Sequence, residues 1–157
     1  MKRRHTEMRF AAWLIPLLAG CASMQQHENG LHTVTAEGAP KAIGPYSQAV
    51  VVPGGLVFTA GQVARDPASG DMVAGDIVAQ TNRVLDNLEA VLKSAGCTLQ
   101  DVIKVSVFMT DLNDFARMNE AYAARFGEHR PARTTVQVAK LPSGAQLEMD
   151  VVARIPR

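Results

Sequence analysis

The sequence predicts a two-layer α+β domain, with two helices packed on one face of a mixed sheet. Three observations predict it. Two helical stretches show apolar residues at a 3.6 period. Several short β-branched runs alternate or stay apolar between turn residues. The elements then fall in the order β-β-α-β-α-β-β, the pattern of helices gathered on one side of a sheet. At 157 residues the chain has the length of one domain with a real core.

"YSQAVVVPGGLVFTAGQV" reads as two strands around Pro53-Gly54-Gly55, a hairpin in which glycine supplies the positive φ of the turn. "ARDPASGDM" is a loop. A helix follows from about Gly75, with Ile77, Thr81, Val84, Leu85, Leu88, Val91 and Leu92 on its inner face and Gly96 as its stop. "DVIKVSVFMT" is a strand. The second helix, "DLNDFARMNEAYAARFG", is capped by Asn113 or Asp114. Its apolar face holds Phe115, Met118, Tyr122 and Phe126, and Gly127 ends it. "RTTVQVAKL" and "QLEMDVVARI" are the last two strands, joined by "PSG". Alternation places Val136 and Val138 with Thr134 on one face, expected to be the core. Arg133, Thr135 and Gln137 lie on the other. Glu148 and Asp150 are expected on that same non-core face of the adjacent strand. It can meet water or a second subunit.

Upstream, residues 1–20 form an export signal: Lys2, Arg3, Arg4 and Arg9 precede the short apolar run "AAWLIPLLAG". That run is too short to span a membrane as a helix. "LAGC" resembles a bacterial lipobox, which implies cleavage before Cys21 and a lipid on its sulfur, with the domain anchored on the periplasmic side of a membrane. Residues 21–42 are polar and aperiodic and read as a tether, so the domain is expected over 43–157. With Cys21 lipidated, Cys97 has no disulfide partner and reads as a small buried thiol. Loss of residues 1–20 removes Lys2, Arg3, Arg4, Arg9 and Glu7, leaving 12 basic and 14 acidic residues, a formal −2. That charge argues against a nucleic-acid partner.

No metal-ligand spacing, phosphate loop or nucleophile elbow is present. Chemistry falls to Arg133, Glu148 and Tyr46. An arginine at a strand mouth can grip a carboxylate through two parallel hydrogen bonds. A partly buried glutamate can take a proton from water. Tyr46 offers a hydroxyl. The same residues also fit a cross-strand Arg133–Glu148 ion pair and a rim aromatic, and the residues alone favour that plainer reading.

"AIGPYSQAV", "TAGQV", "VFMTDLNDFARMNEAYAARF", "PARTTVQVAKLP" and "LEMDVVA" resemble, in order and spacing, the Rid family of YjgF-type proteins, the reactive-intermediate (2-imino acid) deaminases. The resemblance covers about Ala39 to Arg157. It implies a chorismate-mutase-like fold, a homotrimer with clefts between subunits, and hydrolysis of 2-aminoacrylate and related 2-imino acids without cofactor or metal. It further implies that Arg133 binds the substrate carboxylate, Glu148 handles the attacking water and Tyr46 assists. Gly61, Asn119 and Thr135 fall at substrate-binding positions. Thr135 stands where the archetype often has cysteine, and the loop "FGEHRPAR" is short. A non-catalytic module binding small carboxylates in the same cleft is the alternative.

Overall fold

The computed structural model describes residues 24–26 and 30–156. Among the described residues eight strands form one sheet: β1 (Met24–Gln26), β2 (His32–Val34), β3 (Ala49–Val52), β4 (Leu56–Thr59), β5 (Gln62–Val63), β6 (Val102–Met109), β7 (Ala132–Gln137) and β8 (Leu147–Arg154). Their order is β1-β2-β3-β4-β8-β6-β7, and β5 pairs with β8 beyond the end of β4. The expected α+β architecture is present. Helices α1 (Ile77–Ser94) and α2 (Phe115–Phe126) cover one face.

The periodicity of α1 is realised in full. All seven residues expected on its inner face are buried. Asp76 caps it by accepting a hydrogen bond from the Ala79 N–H at 3.0 Å. Arg125 of α2 ties the two helices together through Asp86 at 2.7 Å and Glu89 at 2.8 Å. Beneath α1 the sheet contributes Val51, Val57, Val105, Val107, Met149 and Val151, each at most 5% exposed. Cys97 is free and buried, as its sequence context suggests.

Two expectations about the strands need correction. First, β7 and β8 are not neighbours. β8 lies between β4 and β6, antiparallel to both, while β7 pairs with β6 in parallel at the sheet edge. The turn at Pro142–Gly144 therefore links strands separated by β6. Second, the faces of β7 are the reverse of those expected. Arg133 sits beside Val105 and Thr135 beside Val107, on the helix side. Val136 sits beside Phe108 on the open side and is 40% exposed. Alternation tells which residues share a face; it does not tell which face is covered.

The tether expected over 21–42 is also too long. β2 pairs with β3, and Val34, Ala36 and Ala39 are buried in the core. Buried Gln48 holds this segment. Its amide accepts from the Ala36 N–H at 2.7 Å and donates to the carbonyls of Ala36 at 3.2 Å and Pro40 at 2.8 Å. A buried glutamine amide that reaches three backbone groups is fully engaged, and it fixes the approach to Tyr46. Residues 1–20 and Cys21 lie outside the described residues. Among the described residues no helix is long and apolar enough to cross a membrane.

Candidate active site

The residues singled out in the sequence collect in two places, not one. The first lies on the open face, around Glu148. β4 ends at Thr59, whose hydroxyl accepts from the Val151 N–H at 3.0 Å, and β5 resumes pairing with β8 at Gln62. The backbone between them passes directly beneath Glu148. A Cβ on Gly61 would lie 2.0 Å from Glu148 Oε1, so only glycine leaves the carboxylate in place. Buried Asn87 of α1 pins this stretch from the other side, donating to the carbonyls of Val63 at 3.1 Å and Arg65 at 2.9 Å.

Glu148 faces a cavity of about 280 Å³ lined by Ile43, Tyr46, Ala60, Gly61, Val63 and Pro142. The walls are mostly apolar, and among the described residues no donor reaches the carboxylate. Burial pushes its pKa up, and neighbouring Asp150 adds to the shift. Tyr46 is held by a local turn in which its hydroxyl oxygen accepts from the Ile43 N–H at 3.2 Å. Its own proton is left free to donate. The site therefore sets a carboxylate of raised proton affinity beside a hydroxyl donor at a small, mostly apolar cavity.

The second place lies under the edge of the sheet, between β7 and α2. Arg133, Asn119, Tyr122, Phe126, His129, Arg130 and Pro131 line a cavity of about 360 Å³. The Arg133 guanidinium carbon lies 4.6 Å from the Tyr122 ring centroid and 5.8 Å from that of Phe115. Aromatic faces hold a guanidinium without consuming its N–H donors. Among the described residues no carboxylate lies within 4 Å of Arg133. The ion pair with Glu148, the plainer reading of the sequence, is therefore ruled out within one chain: the two residues occupy opposite faces, with β6 between their strands.

Asn119 joins Arg133, one helical turn from Tyr122. Thr135 is on the same face, but it does not line the cavity; its hydroxyl is buried without a partner. Sequence reasoning placed Tyr122 in the core and missed its second role beneath Arg133. The signal was available, because Phe115, Asn119, Tyr122 and Phe126 share one helix stripe. Arg130 was missed altogether. Among the described residues no group of three His, Cys, Asp or Glu side chains is placed to hold a metal.

Fold and geometry together define a class: a two-layer α+β protein in which an unpaired, half-buried carboxylate and an arginine without an acidic partner lie on different faces of one sheet. The profile of the family described as Endoribonuclease L-PSP matches residues 36–155. The chain belongs to that family, which includes the Rid, RutC and YjgF-type proteins. A RutC family protein of Pyrococcus abyssi is 52% identical over 120 residues, spanning 76% of this chain and 94% of that one. The 2-iminobutanoate/2-iminopropanoate deaminase of Escherichia coli K12 is 43% identical over 124 residues, spanning 77% and 95%. Among solved structures, Escherichia coli TdcF with bound serine matches with a TM-score of 0.73 at 43% identity, covering 78% of this chain and 97% of that one. A Rid family protein from Yersinia pestis matches at 0.77 and 40%, covering 80% and 99%.

Proposed function

We propose that the protein is a hydrolytic deaminase of reactive 2-imino and enamine acids, acting in clefts where Arg133 of one subunit meets Glu148 of the next. The observation that carries the reading is Glu148: a half-buried carboxylate without a hydrogen-bond donor, kept in place by Gly61 and facing Tyr46. A structural acid would be paired; one left unpaired with a raised pKa suits proton transfer.

In this reading the Arg133 guanidinium binds the substrate carboxylate and sets the C=N carbon beside Glu148. Glu148 accepts a proton from water as the water oxygen bonds to that carbon and the C=N π electrons pass to nitrogen, and it returns that proton to the nitrogen. The resulting carbinolamine collapses: its hydroxyl proton passes by way of Glu148 to the nitrogen, the C–N bond breaks, ammonia leaves, and the C=O of the 2-oxo acid forms. No electrons leave the substrate, so the net reaction is imino acid plus water to oxo acid plus ammonia. Tyr46 donates to the oxygen that becomes the carbonyl. Two relatives support the reading by name, one as a 2-iminobutanoate/2-iminopropanoate deaminase and one as a structure holding serine, an amino acid with the carboxylate this site would grip.

A second copy is needed to bring the halves together, and the open face suits one. Phe58 and Val136 are 44% and 40% exposed there, beside half-buried Val50, Phe108 and Val152. A homotrimer is the proposed assembly, tested by light scattering on the purified protein; a monomer would contradict it. We further propose export by residues 1–20 and lipid attachment at Cys21. Incorporation of a labelled fatty acid, lost in Cys21→Ala, tests that step.

The assay for activity is ammonia release from an imine generated in situ by an amino-acid oxidase. Acceleration over background by wild type and not by Glu148→Gln is expected. Thermal stabilisation by 2-oxo acids without any acceleration would select the alternative, a carboxylate-binding module.

A further inference from the structure

The Arg133 cavity holds a second guanidinium. The loop from Gly127 to Pro131 is short, and it is pinned at two points: the His129 N–H donates to the Phe126 carbonyl at 3.1 Å, and His129 Nε2 donates to the Val102 carbonyl at 2.6 Å. Arg130 is therefore held at the rim of the same cavity that Arg133 lines. Its Nη1 donates to the carbonyls of Gly127 and His129. These bonds orient the guanidinium and leave most of its five N–H donors uncommitted.

Neither arginine has a carboxylate within 4 Å among the described residues, and no acidic side chain lines the cavity. The remaining polar lining is neutral: Asn119, Tyr122, and His129, whose Nε2 is spent on Val102. Asn119 offers an amide. Tyr122 is 8% exposed, its hydroxyl has no partner, and its pKa is pushed up to about 12 by burial, against the opposing pull of Arg133 and Arg130. It stays a neutral O–H donor at any physiological pH. Two cations at one cavity, Arg133 half-buried and Arg130 exposed at its mouth, together favour an anionic ligand, and one carboxylate on Arg133 leaves Arg130 unmatched.

We propose that this site prefers 2-imino acids with a second carboxylate, the imines of aspartate- or glutamate-like amino acids, and that Arg130 binds the second acid group. This rests on the deaminase reading above and names its substrate class. The reacting end is held as before: Arg133 takes the carboxylate next to the C=N carbon, and Arg130 takes the distal one.

The test uses the full chain with imines made in situ by oxidases, from aspartate or glutamate on one hand and alanine or leucine on the other. The readout is the ratio of kcat/KM for diacid over monoacid imines. A charge-assisted contact to the second carboxylate makes that ratio about tenfold in wild type. In Arg130→Gln it falls toward unity, and Arg130→Lys, which keeps the charge, recovers part of it. Circular dichroism confirms that the variants fold. A wild-type ratio near unity, or an equal loss on both substrate classes in Arg130→Gln, overturns the proposal. No acceleration of any imine by wild type overturns the underlying deaminase reading instead.

Discussion

The two cavities handle charge in opposite ways. At Glu148 the protein withdraws water and donors from a carboxylate, which raises its proton affinity. At Arg133 it supports a guanidinium on the rings of Tyr122 and Phe115, with no carboxylate within 4 Å among the described residues. On the proposed function the first arrangement serves as a base and the second as an anchor. Either would be wasteful as structure, because unpaired buried charge costs stability. The difference teaches that the two residues were never meant to pair with each other. On the proposed function each meets a group that arrives from outside the chain.

The sharpest way to break this contrast is to remove the base. Glu148→Gln should lower kcat by about 100-fold or more, the usual worth of a positioned proton-transfer group. The fold should not suffer. Glu148 has a folded-state pKa above its unfolded value, so the folded protein holds the extra proton and stability falls as pH rises through that interval. Above it the charged carboxylate is a standing cost that glutamine removes. Thermal melts at neutral pH should therefore show Glu148→Gln at or above wild-type Tm. A clear loss of Tm would make Glu148 a structural residue.

Gly61→Ala attacks the same half by geometry. Its Cβ would occupy the space 2.0 Å from Glu148 Oε1, so the carboxylate must turn away. A kcat loss of about 100-fold is expected, as for a displaced catalytic group, with KM changed far less. Kinetics as efficient as wild type would show that Glu148 need not stay where it is.

Arg133→Ala attacks the anchor, and its signature should differ. Loss of a bidentate charge-assisted contact predicts about a 10- to 100-fold fall in kcat/KM, carried mainly by KM. A pure kcat effect would place Arg133 at the chemistry instead. The smallest expected effect is on pH dependence. The acid limb of the kcat profile should lie above the ordinary carboxylate range, because burial raises Glu148, and it should vanish in Glu148→Gln. An acid limb that persists in Glu148→Gln would assign the base to another group.

Much of this could be read along the chain. α1 was legible because seven apolar or small residues repeat at helical spacing and every one is buried. Glu148, Gly61 and Tyr46 were legible as a set because they occur in short motifs, and they do converge on one cavity. β7 was misread for a physical reason. As an edge strand it is covered by α2 only around Arg133 and Thr135, while Val136 faces the side that a second copy would cover. An apolar residue meant for an interface looks like a core residue in sequence. The insertion of β8 between β4 and β6 is a long-range pairing with no local signal. The same holds for residues 32–39, whose burial depends on Gln48 reaching back 12 positions. Arg130 carries no sequence pattern at all; the brevity of its loop places it.

A site shared between copies can be tested directly by subunit mixing. Arg133→Ala and Glu148→Gln each remove one half, so with the imine substrate well below KM each variant alone should retain about a tenth of wild-type activity or less. Co-assembled at equal amounts, they form mixed trimers in which one of the three clefts joins an intact Arg133 to an intact Glu148. Random assembly then restores about one quarter of wild-type activity. A mixture no more active than the two variants measured separately would contradict the shared site and place the whole reaction within one chain.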